Sequence, residues 1–197
     1  MRKLTRAVLR RKFLHLMTLV IPIAYIYIDR FPMVIALAIL GVSAVIIDFL
    51  RLELRPVRKF FYLHFGDLFW KREEHNLTGA TMYAVSAFLS IYLFDKWIAI
   101  AVLLFLSLGD TAAHLIGVKW GITYLNSEKT IEGSAACLVI CLGISMLLPY
   151  PDILVLVAGA IVASLVELFP LGVDDNLTLP LISGVAMEIL AKQLVVL

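Results

Sequence analysis

Asp110 and His114 stand one helical turn apart in the run Gly109-Asp110-Thr111-Ala112-Ala113-His114-Leu115-Ile116-Gly117. At helical spacing Ala113 and Gly117 complete the same face, so a carboxylate and an imidazole share a surface otherwise made of small residues. Small residues alone indicate close helix packing, but a carboxylate inside an apolar run needs a partner or a task. Ten residues beyond Lys119 comes Lys129-Thr130-Ile131-Glu132-Gly133-Ser134, the start of another apolar run. The free N–H groups of a helix start, with a lysine, a threonine and a glycine beside them, suit a phosphate. Thr130 can equally serve as the cap of that helix.

Two further clusters complete the set. Glu167-Leu168-Phe169-Pro170 closes one apolar run, and Asp174-Asp175-Asn176-Leu177-Thr178-Leu179-Pro180 opens the next. The dipole of a helix start accounts for one of these aspartates, with Asn176 or Thr178 as its cap and Pro180 in the first turn. Three carboxylates at one margin suggest a cation as well, and an oxygen-rich site of this kind suits Mg²⁺. His75-Asn76-Leu77-Thr78-Gly79 enters its own run in the same manner, so Asn-Leu-Thr occurs at 76 and again at 176. Carboxylates for a metal, lysines and arginines for phosphates, and a carboxylate to take a hydroxyl proton together make the equipment of phosphoryl transfer. Neither a Gly-x-x-x-x-Gly-Lys-Ser/Thr loop nor a Gly-x-Gly-x-x-Gly turn occurs, which excludes the standard phosphate-loop and dinucleotide folds.

The elements that must position these residues are membrane helices. Of 197 residues 62% are apolar, only 17 are Lys or Arg and 15 Asp or Glu, and the mean hydropathy is +0.98. Soluble domains run nearer half apolar and a quarter charged. A cytosolic enzyme, a nucleic-acid-binding domain and a disordered chain are thereby excluded. Apolar runs begin near Phe13, Pro32, Leu77, Trp97, Ile131, Ile153 and Leu177 and end near Ile28, Phe49, Phe94, Ile116, Leu148, Phe169 and Val196. They predict an all-α, multi-pass membrane protein of about seven spans, a single integral membrane domain over 1–197. Cys137 and Cys141, four apart in one run, fall on one helix face rather than in a disulfide framework.

Fourteen Lys and Arg fall before the first span, after the second or after the fourth, against Arg30, Lys96 and Lys192 on the other side. This bias predicts a cytoplasmic N-terminus. Asp48, Asp110 and Glu167 then lie 16, 14 and 15 residues from Pro32, Lys96 and Asp152 at the outer ends, or about 21–24 Å along a helix. With His15 in the first inner turn, the polar chemistry collects at the cytoplasmic face. The segment 51–76 is too charged to span and too apolar for water, carrying Leu54, Val57, Phe60, Phe61, Leu63, Phe65, Leu68, Phe69 and Trp70 among its bases. It reads as an interfacial amphipathic helix facing anionic head groups.

The motifs together resemble the CTP-dependent lipid alcohol kinases, the family of polyprenol (dolichol) kinase, phytol kinase and CTP-dependent diacylglycerol kinase. The likeness runs through Arg11-Lys12-Phe13-Leu14-His15, Leu77-Thr78-Gly79-Ala80-Thr81, Gly109-Asp110-Thr111-Ala112-Ala113, Lys129-Thr130-Ile131-Glu132-Gly133-Ser134 and Asp174-Asp175-Asn176. It implies transfer of the γ-phosphate of CTP to a lipid alcohol with Mg²⁺ or another divalent cation, the polyprenols ranking ahead of diacylglycerol and phytol. Carried over by motif, Asp110, Asp175 and Lys129 are the catalytic set, and Asp110, Asp174, Asp175 and Glu167 the metal set. Arg11, Lys12, His15, Asn76, Thr78, Lys119, Thr130, Gly133, Ser134 and Asn176 would hold nucleotide and phosphates. The implied partners are CTP, a lipid alcohol and membrane lipid, with no nucleic acid; a homodimer stays open. A phosphatidate cytidylyltransferase is the runner-up, although its closing signature is missing after Lys129. An ion-coupled transporter would place acids near the midplane and on both sides of it, whereas here the outer halves are almost bare.

Overall fold

The computed structural model describes residues 5–66, 71–125, 129–169 and 171–196. Arg2, Lys3, Leu68, Phe69, Trp70 and Pro170 lie outside the described residues, so the interfacial reading of 51–76 bears here only on its helix Arg55–Phe65. The described chain is all-helical apart from one isolated antiparallel bridge between Tyr124 and Thr130. In order the elements are α1 (Arg6–Met17), α2 (Val20–Tyr27), α3 (Arg30–Glu53), α4 (Arg55–Phe65), a 3₁₀ turn (Lys71–Glu74), α5 (Gly79–Leu93), α6 (Lys96–Leu104), a π-helical stretch (Phe105–Asp110), α7 (Thr111–Trp120), α8 (Ile131–Leu147), α9 (Ile153–Leu168) and α10 (Asp175–Val196).

Among the described residues three helices are long and apolar enough to cross a membrane: Arg30–Glu53, the continuous rod Lys96–Trp120, and Asp175–Leu194. Gly79–Leu93, Ile131–Leu147 and Ile153–Leu168 are apolar but shorter. The rod is the axis of the bundle, because every side chain from Ile98 to Leu103, then Phe105 and Leu106, is fully buried. Around it the outer faces carry bare apolar side chains such as Ile39, Val42, Phe49, Val139 and Met146. Contiguous apolar surface of this extent calls for an apolar surrounding.

The apolar run Phe13–Ile28 does not form one helix. Pro22 has no N–H for the carbonyl of Thr18, and its ring would clash there, so the chain breaks at Thr18-Leu19. The released carbonyl accepts instead from Ile21 N (3.0 Å) and from the Tyr83 hydroxyl (3.1 Å), which ties the break to α5. The start of α10 also departs from expectation. Asp174 is its cap, accepting from Asn176 N at 3.0 Å and Asn176 Nδ2 at 2.7 Å. The helix therefore begins at Asp175, and Pro180 sits inside it rather than in its first turn.

Gly159 lets α10 approach α9, and Gly184 lets the Phe94 ring at the end of α5 pack on α10. A Cβ at Gly159 would meet the flexible tip of Met187, with Sδ at 2.3 Å; one at Gly184 would meet the Phe94 ring at 2.1 Å. Phe94 is buried, and an aromatic ring cannot fold out of the way as a thioether can. We expect Gly184→Ala to cost about 1–3 kcal/mol and Gly159→Ala less, read as melting temperatures in detergent.

Candidate functional site

Charges buried in an apolar bundle must find partners, and the described helices supply them at one end. α1 contributes Lys12 and His15, which lean on the π-helical stretch. Widened turns there leave the Leu106 carbonyl within 3.1 Å of His15 Nε2 and place the Ser107 hydroxyl 2.9 Å from that of Thr18. The stretch ends at Asp110, whose Oδ2 accepts from Lys12 Nζ at 2.6 Å and lies 3.5 Å from His15 Nε2. π-helical turns are frequent where a helix must present a functional group.

Beside this triplet stands a second one. After α7 the chain turns back on itself, with Leu125 N donating to the Lys129 carbonyl (3.1 Å) and Ile131 N to that of Thr123 (3.0 Å). This turn aims Lys129 between Glu167 Oε1 (3.0 Å) and Asp175 Oδ2 (2.6 Å). The Ser134 hydroxyl donates to the other Glu167 oxygen and Ser164 donates to the Ser134 carbonyl at 2.8 Å. Burial lowers the pKa of Lys129, yet Asp175, Asp110 and Glu167 outweigh it and hold the ammonium above its ordinary value. Lys129 therefore stays charged through neutral pH, and the shared influence of Asp110 joins the two triplets into one electrostatic unit.

A third group anchors α5. Arg51 is almost fully buried and donates to Asp48 Oδ1 (2.9 Å) and to the carbonyls of Glu73 (2.9 Å) and Asn76 (2.8 Å). Asp48 Oδ2 accepts from Thr78 N (2.7 Å), the Thr78 hydroxyl (2.9 Å) and the Thr81 hydroxyl (2.7 Å). Glu73 receives Arg11 through both guanidinium nitrogens, at 3.0 and 3.1 Å, and Gly79 N at 2.9 Å. A Cβ at Gly79 would lie 2.8 Å from Asn176 Nδ2 and 3.3 Å from Arg11 Nη2. The two Asn-Leu-Thr starts, a hundred residues apart in sequence, thus lie side by side where α5 packs on α10.

The structure brings together Lys12, His15 and Asp110; Lys129, Glu167, Asp175 and Ser134; and Arg11, Thr78 and Asn176. Other candidates have structural duties. Asp174 caps α10, Thr130 caps α8 by accepting from Gly133 N at 3.1 Å, and the space a Gly133 side chain would need holds the Ala113 carbonyl, 2.6 Å from an added Cβ. Gly133 thus admits another helix where the sequence suggested a ligand. Asn76 contributes its carbonyl, and Lys119 is exposed with its ammonium 4.1 Å above the Trp120 ring. Glu73 and the clamp role of Arg51 were missed from sequence. Asp48 and Arg51 at helical i,i+3 spacing were the available signal for the clamp; for Glu73, in a charged stretch, there was none.

As a metal centre the site is incomplete on its own. Among the described residues no three His, Cys, Asp or Glu side chains are grouped to hold an ion. Glu167 and Asp175 nevertheless turn carboxylate oxygens toward one shared point, taken by the Lys129 ammonium. Mg²⁺ commonly needs only one or two carboxylates when substrate phosphates complete its shell, so this pair fits such an ion.

No family model matches the chain, and no solved structure matches it. It is 28% identical over 182 residues, 87% of this chain and 89% of the relative, to an uncharacterized protein of Rickettsia prowazekii. It is also 26% identical over 156 residues, 70% of this chain and 71% of the relative, to CTP-dependent diacylglycerol kinase 1 of Schizosaccharomyces pombe. One distant relative is thus a kinase.

Two outcomes test the geometry. Arg51→Met leaves Asp48 buried without its cation and should cost roughly 3–5 kcal/mol in detergent unfolding. Gly109 seats Asp110 against two thiols: an added Cβ would lie 2.8 Å from Cys141 Sγ and 3.0 Å from Cys137 Sγ. Gly109→Ala should destabilise by about 1–3 kcal/mol, and Cys141→Ala in the same chain should recover most of the loss.

Proposed function

We propose that the protein is a membrane lipid kinase that transfers the γ-phosphate of CTP to the hydroxyl of a lipid alcohol. The observation that carries this reading is the pair of lysine–carboxylate units, Lys12 with Asp110 and Lys129 with Glu167 and Asp175, at one end of an apolar bundle. The distant kinase relative supports it, as do the motifs at 11–15, 77–81, 109–113, 129–134 and 174–176. We read the chain as seven spans with a cytoplasmic N-terminus, the polar end facing the cytoplasm and α4 lying in the interface. The three long apolar helices and the three shorter ones would supply six of these spans, and α1 with α2, broken at Thr18-Leu19, the other.

Each lysine is held by carboxylates until a stronger anion arrives. A triphosphate draws Lys12, Lys129 and Arg11 toward its oxygens, since phosphates carry more charge than the carboxylates they displace. The exchange would free Glu167 and Asp175 to hold Mg²⁺, and Asp110 and Asp174 are the further carboxylates proposed for it; the ion would neutralise charge on the phosphates. Asp110, released from Lys12, takes the proton of the lipid hydroxyl. The lipid oxygen forms its bond to the γ-phosphorus as the bond to the bridging β–γ oxygen breaks, leaving a lipid phosphate and CDP. Asn176, Thr78, His15 and Ser134 would orient the nucleotide, with Asn76, Thr130 and Lys119 at its edge.

The decisive experiment supplies CTP labelled at the γ-phosphate to purified protein with prenols, phytol or diacylglycerol. Label should end on a lipid hydroxyl, and Asp110→Asn and Asp175→Asn should each lower the rate at least about a hundredfold while the protein stays folded. CMP joined to lipid with release of pyrophosphate would instead indicate a cytidylyltransferase, and retained activity in both variants would remove the assigned roles.

A further inference from the structure

Along α3 the residues Met33, Leu37, Gly41, Asp48 and Arg51 form the buried stripe that faces α5. At Gly41 the stripe has no side chain, and a cleft of about 260 Å³ opens there between the two helices. Leu37, Ala38, Val42, Val45 and Ile46 line it from α3, and Val85 and Phe88 from α5; no polar atom contributes to its wall. Val42 and Ile46 are more than half exposed, so the cleft opens sideways onto the surface that a bilayer would cover. Its lining on α3 runs from Leu37 to Ile46, ten residues and about 14 Å along the helix axis. Within one turn of its inner end the wall changes character, to Asp48 with the hydroxyls of Thr78 and Thr81.

A dry slot ending beside a hydrogen-bonding layer matches a hydrocarbon chain that ends in a small polar group. We propose that this cleft seats the hydrocarbon chain of the lipid alcohol, with its hydroxyl end toward the polar end of the bundle. The proposal rests on the kinase reading for the identity of the lipid, but its geometry is independent of CTP. Gly41 is the floor that makes the seat. A Cβ there would meet only the Ala84 backbone, at 3.9 Å, so a larger side chain would fill the cleft rather than strain the helix pair.

Protein in phosphatidylcholine nanodiscs is irradiated with a trace of long-chain prenol, or of diacylglycerol, bearing a diazirine in mid-chain, and the adducts are mapped by mass spectrometry. Adducts should concentrate on Leu37–Ile46 and Val85–Phe88, and unlabelled prenol or diacylglycerol should compete them away. Gly41→Phe should cut them about fivefold or more, with Ala38→Phe as a second blocking variant, while Gly41→Ala keeps them. Even labelling over the outer faces of α3, α8 and α9, or equal labelling of the cleft by a diazirine phosphatidylcholine, would overturn the proposal. The two readings fail separately. Cleft labelling without phosphoryl transfer from CTP removes only the kinase, and transfer without cleft labelling removes only the seat.

Discussion

Unpaired charge cannot remain inside an apolar bundle, and that single constraint organises the polar end of this molecule. Lys129 is its clearest expression. One ammonium answers Glu167 from α9 and Asp175 from α10 while its own backbone leads into α8, so three helix ends are fixed by one side chain. Lys12 and Arg51 repeat the arrangement for α1 on the central rod and for α3 on α5. Each such pair stabilises less than it costs to break, because removing one member strands the other. The fold is therefore committed to keeping its acids and bases together, and a pocket of alternating charge follows from packing alone.

The same constraint gives the site its chemistry. A carboxylate satisfied by a lysine is at rest; a polyanion that competes for the lysine changes the partner of both. In the proposed kinase, binding and activation would then be one event. Helix starts add to this, since α5, α8 and α10 all begin at the polar end and contribute the partial positive charge of their first turns. Thr78, Thr130 and Asp174 each cap one of these starts from the side chain, which keeps the turns regular.

Much of this was legible in the residues. The apolar runs marked the helices, and the position of each intramembrane acid relative to its outer turn placed Asp48, Asp110 and Glu167 at one level. Two features were not legible. The run Phe13–Ile28 is uniformly apolar, and only the missing N–H of Pro22 breaks it, a local event that averaged hydropathy conceals. The partners of Arg11 and Arg51 come from the stretch 73–78, whose charged and turn-forming residues look like any solvated connection until the fold brings it over α5. Glycines misled in a different way: Gly133 has the look of a ligand approach but serves helix contact, because sequence does not say what comes near a bare Cα.

The π-helical stretch has a consequence for how the chain could tolerate change. Its wider turns accommodate one residue more than a regular helix of equal length, so the phase of everything from Asp110 to Trp120 depends on that surplus. Rewinding Phe105–Asp110 as a regular α-helix with every residue kept would swing the downstream face through about 100°. Asp110 would then turn from Lys12 toward a neighbouring sector of the bundle, with composition and hydropathy scarcely altered. A substitution that forces regular winding would thus turn Asp110 away, whereas deleting the surplus residue would remove the wide turns and leave the downstream phase nearly unchanged.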